Sequence, residues 1–295
     1  GLGDVYKRQD PDLKNGKTVI RGHILGYNPA YGTTLNFNCS DWFFFDVFGQ
    51  SIPIAEDGSF YYETNLMIPG DATLRVGRKR FEIFLVPGGE LEITFNLPEI
   101  YWSESRLFGK KDGRPLVWFE GTYAGLNTEL TKYAGLTSIY SADSFYENIC
   151  GVTPAQYKKY VTKIYEKNRD EILKNKLLSD AARTYMINNL EMSYFFAIKG
   201  YKGTISYAPM ISGKKGVKRA DMTVGENYYD DILKLDFIHS PYIRYGGYPD
   251  FVRAATEDFK GKFEPQPIWE DILRARPLGS TLARLKPLSE KQMLT

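Results

Sequence analysis

The hydrophobic period of this chain changes once, near residue 122, from two residues to about 3.6. That single change separates two kinds of structure. From Lys17 to about Phe119, short β-rich runs alternate with turn residues. Thr18–Leu25 is one such run, ended by Gly26-Tyr27-Asn28-Pro29. Ile52 and Ile54 alternate into Glu56-Asp57-Gly58, and Phe60 and Tyr62 resume the pattern, as in a hairpin with glycine in its turn. Leu91, Ile93 and Phe95 share one face of a strictly alternating run, with Glu90, Glu92 and Thr94 opposite. Together with Phe81–Val86 and the intervening Pro87-Gly88-Gly89, that run reads as the clearest hairpin of the chain. Trp42 to Phe48 is aromatic on both faces, as a strand covered twice would be. Strand signals spaced about ten residues apart predict an antiparallel β-sandwich or barrel-like domain over residues 10–122.

Beyond the change of period, Thr153-Pro154-Ala155-Gln156 is a helix start with a capping residue, proline at the first position and a capping-box glutamine. Tyr157, Tyr160, Val161, Ile164, Asn168 and Ile172 then fall on one face. A second helix is predicted from about Ser179 to Lys199, with Ala182, Tyr185, Met186, Leu190 and Phe196 inward. Gly200–Val224 is glycine-rich and basic and reads as a loop. Shorter helical patterns follow near 228–235, 249–259 and 269–276. The fold class is therefore α+β, with the β domain first and a mostly helical domain over 123–295.

Composition narrows the function classes. Of 295 residues, 38 are Lys or Arg and 36 Asp or Glu. That balance argues against a general nucleic-acid or anionic-membrane binder. No apolar run is long enough to span a membrane. Two cysteines, Cys39 and Cys150, exclude a disulfide scaffold and leave a mutual disulfide open. Two histidines, His23 and His239, leave little material for metal or triad chemistry. Motifs for phosphate loops, dinucleotides, zinc hydrolysis, nucleophile elbows and Cys-x-x-Cys redox pairs are missing. No catalytic, cofactor-binding or metal-ligating residue is assigned. Gly213–Arg219 is a basic segment, either a solvated loop or an anion contact. Trp42, Phe44, Tyr101 and Trp102 are the candidate ligand or partner surface, because exposed rings recognise sugars and peptides. Filling a core is the competing use of the same rings.

Both ends carry expectations of their own. Gly1–Gln9 resembles the translated end of a transposon-based sequencing adapter, the alternative being a natural N-terminus with a coincidental match. Residues 1–9 are therefore expected to pack against nothing. At the other end, Ser289 and Gln292 begin a capped helix that stops at Thr295 after barely two turns. The helical domain is expected to be cut there, with more protein to follow.

Three stretches resemble a known arrangement. Glu56-Asp57-Gly58-Ser59-Phe60 is similar to the hairpin of a small β domain found in Bacteroidetes cell-envelope proteins. Val86-Pro87-Gly88-Gly89-Glu90-Leu91-Glu92-Ile93 resembles that domain's closing hairpin. Phe119-Glu120-Gly121-Thr122-Tyr123-Ala124-Gly125-Leu126-Asn127-Thr128-Glu129-Leu130 looks like the entry into the helical region that follows. Ala283–Ser289 resembles the stretch before a thioredoxin-like domain of the TlpA type. The resemblance implies the N-terminal region of a TlpA/thioredoxin-like thiol–disulfide oxidoreductase, truncated before its C-terminal thioredoxin-like domain. It implies a periplasmic or cell-envelope location and a lipid anchor or export signal upstream. It also implies a role in positioning, partner recognition or homodimer formation. The family's catalytic Cys-x-x-Cys is missing from these residues, so no catalytic residue carries over. The alternative is an envelope lipoprotein module that binds a glycan or peptide on an aromatic β face.

Overall fold

The computed structural model describes residues 16–39, 50–66, 69–105, 114–218, 220–237 and 247–273. Gly1–Gln9, Trp42, Phe44 and Ser289–Thr295 lie outside them. The fold is α+β, with sheets in the N-terminal half and helices in the C-terminal half. Contacts divide the described residues into two compact units, a helical one of residues 133–237 and 254–264 and a β-containing one of residues 16–132, 247–253 and 265–273.

Among the described residues, the β unit is built from two four-stranded sheets. One contains β4 (Ser59–Leu66), β1 (Gly16–Leu25), β7 (Glu90–Asn96) and β8 (Val117–Gly121), in that order. The other contains β3 (Gln50–Ile52), β2 (Leu35–Cys39), β5 (Gly70–Val76) and β6 (Lys79–Leu85). Alternation sorts the side chains. Ile20, Ile24, Phe60, Leu91, Ile93 and Phe95 from the first sheet share one buried cluster with Leu35, Phe37, Leu74, Val76, Phe81 and Ile83 from the second. The rings of Phe81 and Phe95, one from each sheet, lie 5.2 Å apart. The helix α1 (Leu97–Glu104) adds Leu97 and Ile100 to this core. The burial of these side chains, each contributing roughly 1.5–3 kcal/mol, is what holds the two sheets face to face.

Two features differ from the sequence reading. The first sheet is mixed, because β1 and β7 run parallel, Ile20 beside Leu91 and Gly22 beside Ile93. And the segment Pro87-Gly88-Gly89 joins strands of different sheets instead of closing a hairpin. The reason is burial. Phe81, Ile83 and Leu85 need a facing layer, and Leu91, Ile93 and Phe95 supply it only from the opposite sheet. A hairpin would set the two apolar faces side by side and leave both exposed.

The helical unit is organised by α4 (Pro154–Lys174) and α5 (Asp180–Lys199). Thr153 and Gln156 form the expected reciprocal capping box, with Pro154 in the first turn. Tyr157, Val161, Ile164, Asn168 and Ile172 are buried as the periodicity requires, and Tyr160 is half-buried. On α5 the inward ring is Phe195, fully buried, while Phe196 is half-buried. Burial extends nearly all round α5, so its polar–apolar contrast is weak and the facing residue is hard to read. The segment read as a loop contains α6 (Tyr201–Ser212). Tyr201, Ile205 and Ala208 recur at helical spacing and are buried, and this outweighs Gly203 and Pro209. The short helices α3 (Phe145–Asn148) and α7 (Asp230–Leu233) and residues 254–264 belong to the same unit. Helix α8 (Tyr248–Glu257) and α9 (Pro267–Leu273) occur where helical patterns were predicted. Trp269 Nε1 donates to Tyr248 Oη at 3.0 Å. No helix among the described residues is long and apolar enough to cross a membrane.

Many tyrosines are packed as neutral phenols. Burial pushes Tyr165 and Tyr248 from 10.0 up to about 12. It raises Tyr157 and Tyr228 as well. An unfolded tyrosine releases its proton near 10, so the stability these groups contribute is complete below that pH. It is lost as pH rises from about 10 through 12. Ultraviolet titration is expected to show phenolate absorbance lagging behind free tyrosine, then rising together with loss of helical ellipticity. Titration of all tyrosines near 10, with the fold intact, would contradict this packing.

Candidate functional site

Of the four residues proposed as a ligand surface, two can be located. Tyr101 on α1 is 40% exposed, and its hydroxyl is 2.7 Å from Thr33 Oγ1. Trp102 beside it is half-buried. Tyr101 is therefore partly open to solvent with its hydroxyl already engaged.

Other exposed rings lie on the outer face of the first sheet. Tyr61 on β4 is 56% exposed and Trp118 on β8 is 40% exposed. The register sets Tyr61 beside Arg21, Arg21 beside Glu92, and Glu92 beside Glu120. Arg21 bridges Glu90 and Glu92 at 3.0 Å each, and Lys17 pairs with Glu63. These pairs are exposed and contribute little to stability. Trp118 was not singled out in the sequence, although alternation in Val117-Trp118-Phe119-Glu120 sends it away from its buried neighbours.

The most constrained local geometry is the joint between β8 and α2 (Ala124–Tyr133). Gly121 has φ +90°, and a Cβ there would sit 2.5 Å from the carbonyl oxygen of Glu90. Thr122 follows, its N–H donating to Glu90 O at 2.7 Å and its Oγ1 accepting from Glu90 N at 3.2 Å. Tyr123 takes φ +57°, a conformation costly for a bulky residue. Its carbonyl is held by the backbone N–H of Asn127 at 3.0 Å and by Nδ2 of Asn127 at 3.2 Å. The same Asn127 side chain is fully buried and reaches the edge of the second sheet. Its Oδ1 accepts from Phe84 N at 2.7 Å, and its Nδ2 donates to Phe84 O at 3.1 Å. A carboxamide offers one acceptor and one donor, as a peptide unit of a neighbouring strand would. Asn127 thus bonds both backbone groups of Phe84 on β6, the outer strand of that sheet among the described residues. Phe84 is buried on the outer side of its strand, and the ring of Tyr123 meets it edge-on at 5.6 Å.

The thiols take no part in this joint. Both cysteines are free. Cys39 is buried on β2, and Cys150 Sγ lies 3.1 Å from Ser212 Oγ in the helical unit. Among the described residues, no group of three or more His, Cys, Asp or Glu is placed to hold a metal ion. The helical unit also contains a groove along α4. Lys158 is fixed there by Asp231 at 2.8 Å and by the carbonyl of Tyr228 at 2.7 Å, and lies 5.6 Å above the Tyr228 ring. Its charge is already compensated, and Lys159, Lys163 and Glu166 line the same groove.

No protein-family model matches the chain, and no curated protein matches it.

Proposed function

We propose that this chain is the non-catalytic region of a cell-envelope thioredoxin-like thiol–disulfide oxidoreductase of the TlpA type, and that its work is positioning and recognition. The observation that carries the reading is the β8–α2 joint. The stretch Phe119–Leu130 resembles the family's entry into its helical region, and its distinctive positions each have a mechanical role. Gly121 permits the close approach to Glu90, Thr122 clips the turn, and Asn127 ties α2 to the edge of β6. Leu126 and Leu130 are buried beside it. A unit that positions another domain needs a rigid exit of this kind. A protein partner or second copy in the periplasm or envelope belongs to the same proposal. An envelope module for glycan or peptide is the second reading, favoured by the exposed rings of Tyr101, Tyr61 and Trp118.

The test is to read the genomic frame past Thr295 and express the longer product. A Cys-x-x-Cys domain is expected downstream. The longer product should reduce insulin disulfides, and residues 1–295 alone should not. A stop codon directly after Thr295 would leave the oxidoreductase reading without support and favour the binding module.

A further inference from the structure

The helix α6 buries Tyr201, Ile205 and Ala208 against the helical unit, yet its opposite face is also apolar. Tyr207, Met210 and Ile211 are 60%, 71% and 53% exposed. Their spacing places them together on one face of the last turns. Single exposed apolar residues are ordinary, but three neighbours of this size form a patch that calls for a partner.

The charges around the patch identify that partner. Between Met192 and Ala220 the sequence has Lys199, Lys202, Lys214, Lys215, Lys218 and Arg219, and no Asp or Glu. The near-neutral total of the chain hides this segregation. Lys199 is paired with Asp258 at 3.0 Å. Lys202, Lys214, Lys215 and Lys218 are exposed. Lys214 Nζ donates to the backbone carbonyl of Glu147 on α3 at 2.8 Å. Gly213, with φ +71°, ends α6 in the left-handed conformation, so the lysines follow directly on the apolar face.

We propose that the exposed face of α6 and the basic segment after it form a contact site for an anionic lipid surface. Met210 and Ile211 would enter the boundary between headgroups and acyl chains, with Tyr207 at the headgroup level and the lysines reaching lipid phosphates. A nucleic acid or acidic polymer would use the lysines but gain nothing from Met210 and Ile211. The inference is independent of the oxidoreductase reading, since it rests only on α6 and its flanking charges.

The experiment is sedimentation of the full chain with phosphatidylcholine vesicles, with and without phosphatidylglycerol. Binding is expected only to the vesicles containing phosphatidylglycerol, and it should weaken as salt is raised. Each lysine near such a surface is worth about five-fold in affinity, so Lys214→Glu with Lys215→Glu should cost about 25-fold or more. Met210→Glu with Ile211→Glu should abolish binding. Both pairs change exposed residues, so their melting curves should match the parent. A Tyr207→Trp variant should show blue-shifted emission on phosphatidylglycerol vesicles and none on phosphatidylcholine alone. Three results would overturn the proposal: no binding by the parent chain, equal binding to both vesicles, or binding that the Met210 and Ile211 changes leave intact. The last, with retention on heparin, would mark a general polyanion site.

Discussion

Replacing Asn127 with alanine is expected to lower the unfolding free energy by about 3 to 5 kcal/mol, because two buried backbone groups then lose the carboxamide that bonds them both. Phe84 N and Phe84 O sit at the edge of the second sheet and are bonded by the carboxamide at 2.7 Å and 3.1 Å. A buried donor or acceptor left unsatisfied costs roughly 1–3 kcal/mol. A third bond, to the carbonyl of Tyr123, is lost where the backbone already occupies φ +57°. Urea unfolding followed by circular dichroism measures the change. Asn127→Asp separates this account from simple loss of packing. A carboxylate can still accept from Phe84 N, but its second oxygen faces the carbonyls of Phe84 and Tyr123. Those carbonyls and the surrounding burial raise the carboxyl pKa in the folded state. The variant should therefore be least stable at neutral pH and should recover as pH falls and the carboxyl becomes a donor. If Asn127→Ala costs under about 1 kcal/mol, or if Asn127→Asp shows no such recovery, the carboxamide is not what secures α2 to the sheet.

Much of this joint was written locally. Phe84 breaks the alternation of Phe81, Ile83 and Leu85, an apolar residue on what should be a solvated face, and so announces a cover. The change of period, the Thr153–Gln156 box and the inward face of α4 were legible for the same reason: each depends on residues within one or two turns of one another. The parallel pairing of β1 with β7 was not legible, since it joins residues such as Ile20 and Leu91 that no local pattern connects. The turn chemistry of Pro87-Gly88-Gly89 is compatible with a hairpin and with a crossover between sheets, and only the facing layer decides. Helix α6 was obscured because Gly203 and Pro209 are strong local breakers, whereas the burial of Tyr201, Ile205 and Ala208 is a tertiary gain. The same misreading concealed the exposed face of that helix. Tyr101 is 40% exposed, and its hydrogen bond to Thr33, 68 residues away, is one that no local pattern announces.

Gly22→Ala is expected to cost about 3 kcal/mol or more, although strand propensity alone would make alanine the better residue by about 0.5–1 kcal/mol. Gly22 follows the inward parity of Ile20 and Ile24 in the middle of β1. It lies opposite Ile93 on β7 and Phe60 on β4. A Cβ built there would stand 1.8 Å from the carbonyl oxygen of Ile93 and 2.9 Å from Cζ of Phe60. The two obstacles differ in kind. The Phe60 ring ends a side chain and can rotate aside. The Ile93 carbonyl belongs to the backbone of a strand held between β1 and β8, so it can move only if the parallel pairing opens. Opening it would disturb Leu91, Ile93 and Phe95 together, because all three enter the core from that strand. A double variant decides between the obstacles. If the ring were the main one, Phe60→Leu would recover most of the stability lost in Gly22→Ala. The 1.8 Å approach to backbone predicts little recovery, with the two losses close to additive. Substantial recovery would mean that β1 and β7 can separate, and that the mixed sheet owes its closeness to Phe60 and not to the missing side chain at Gly22.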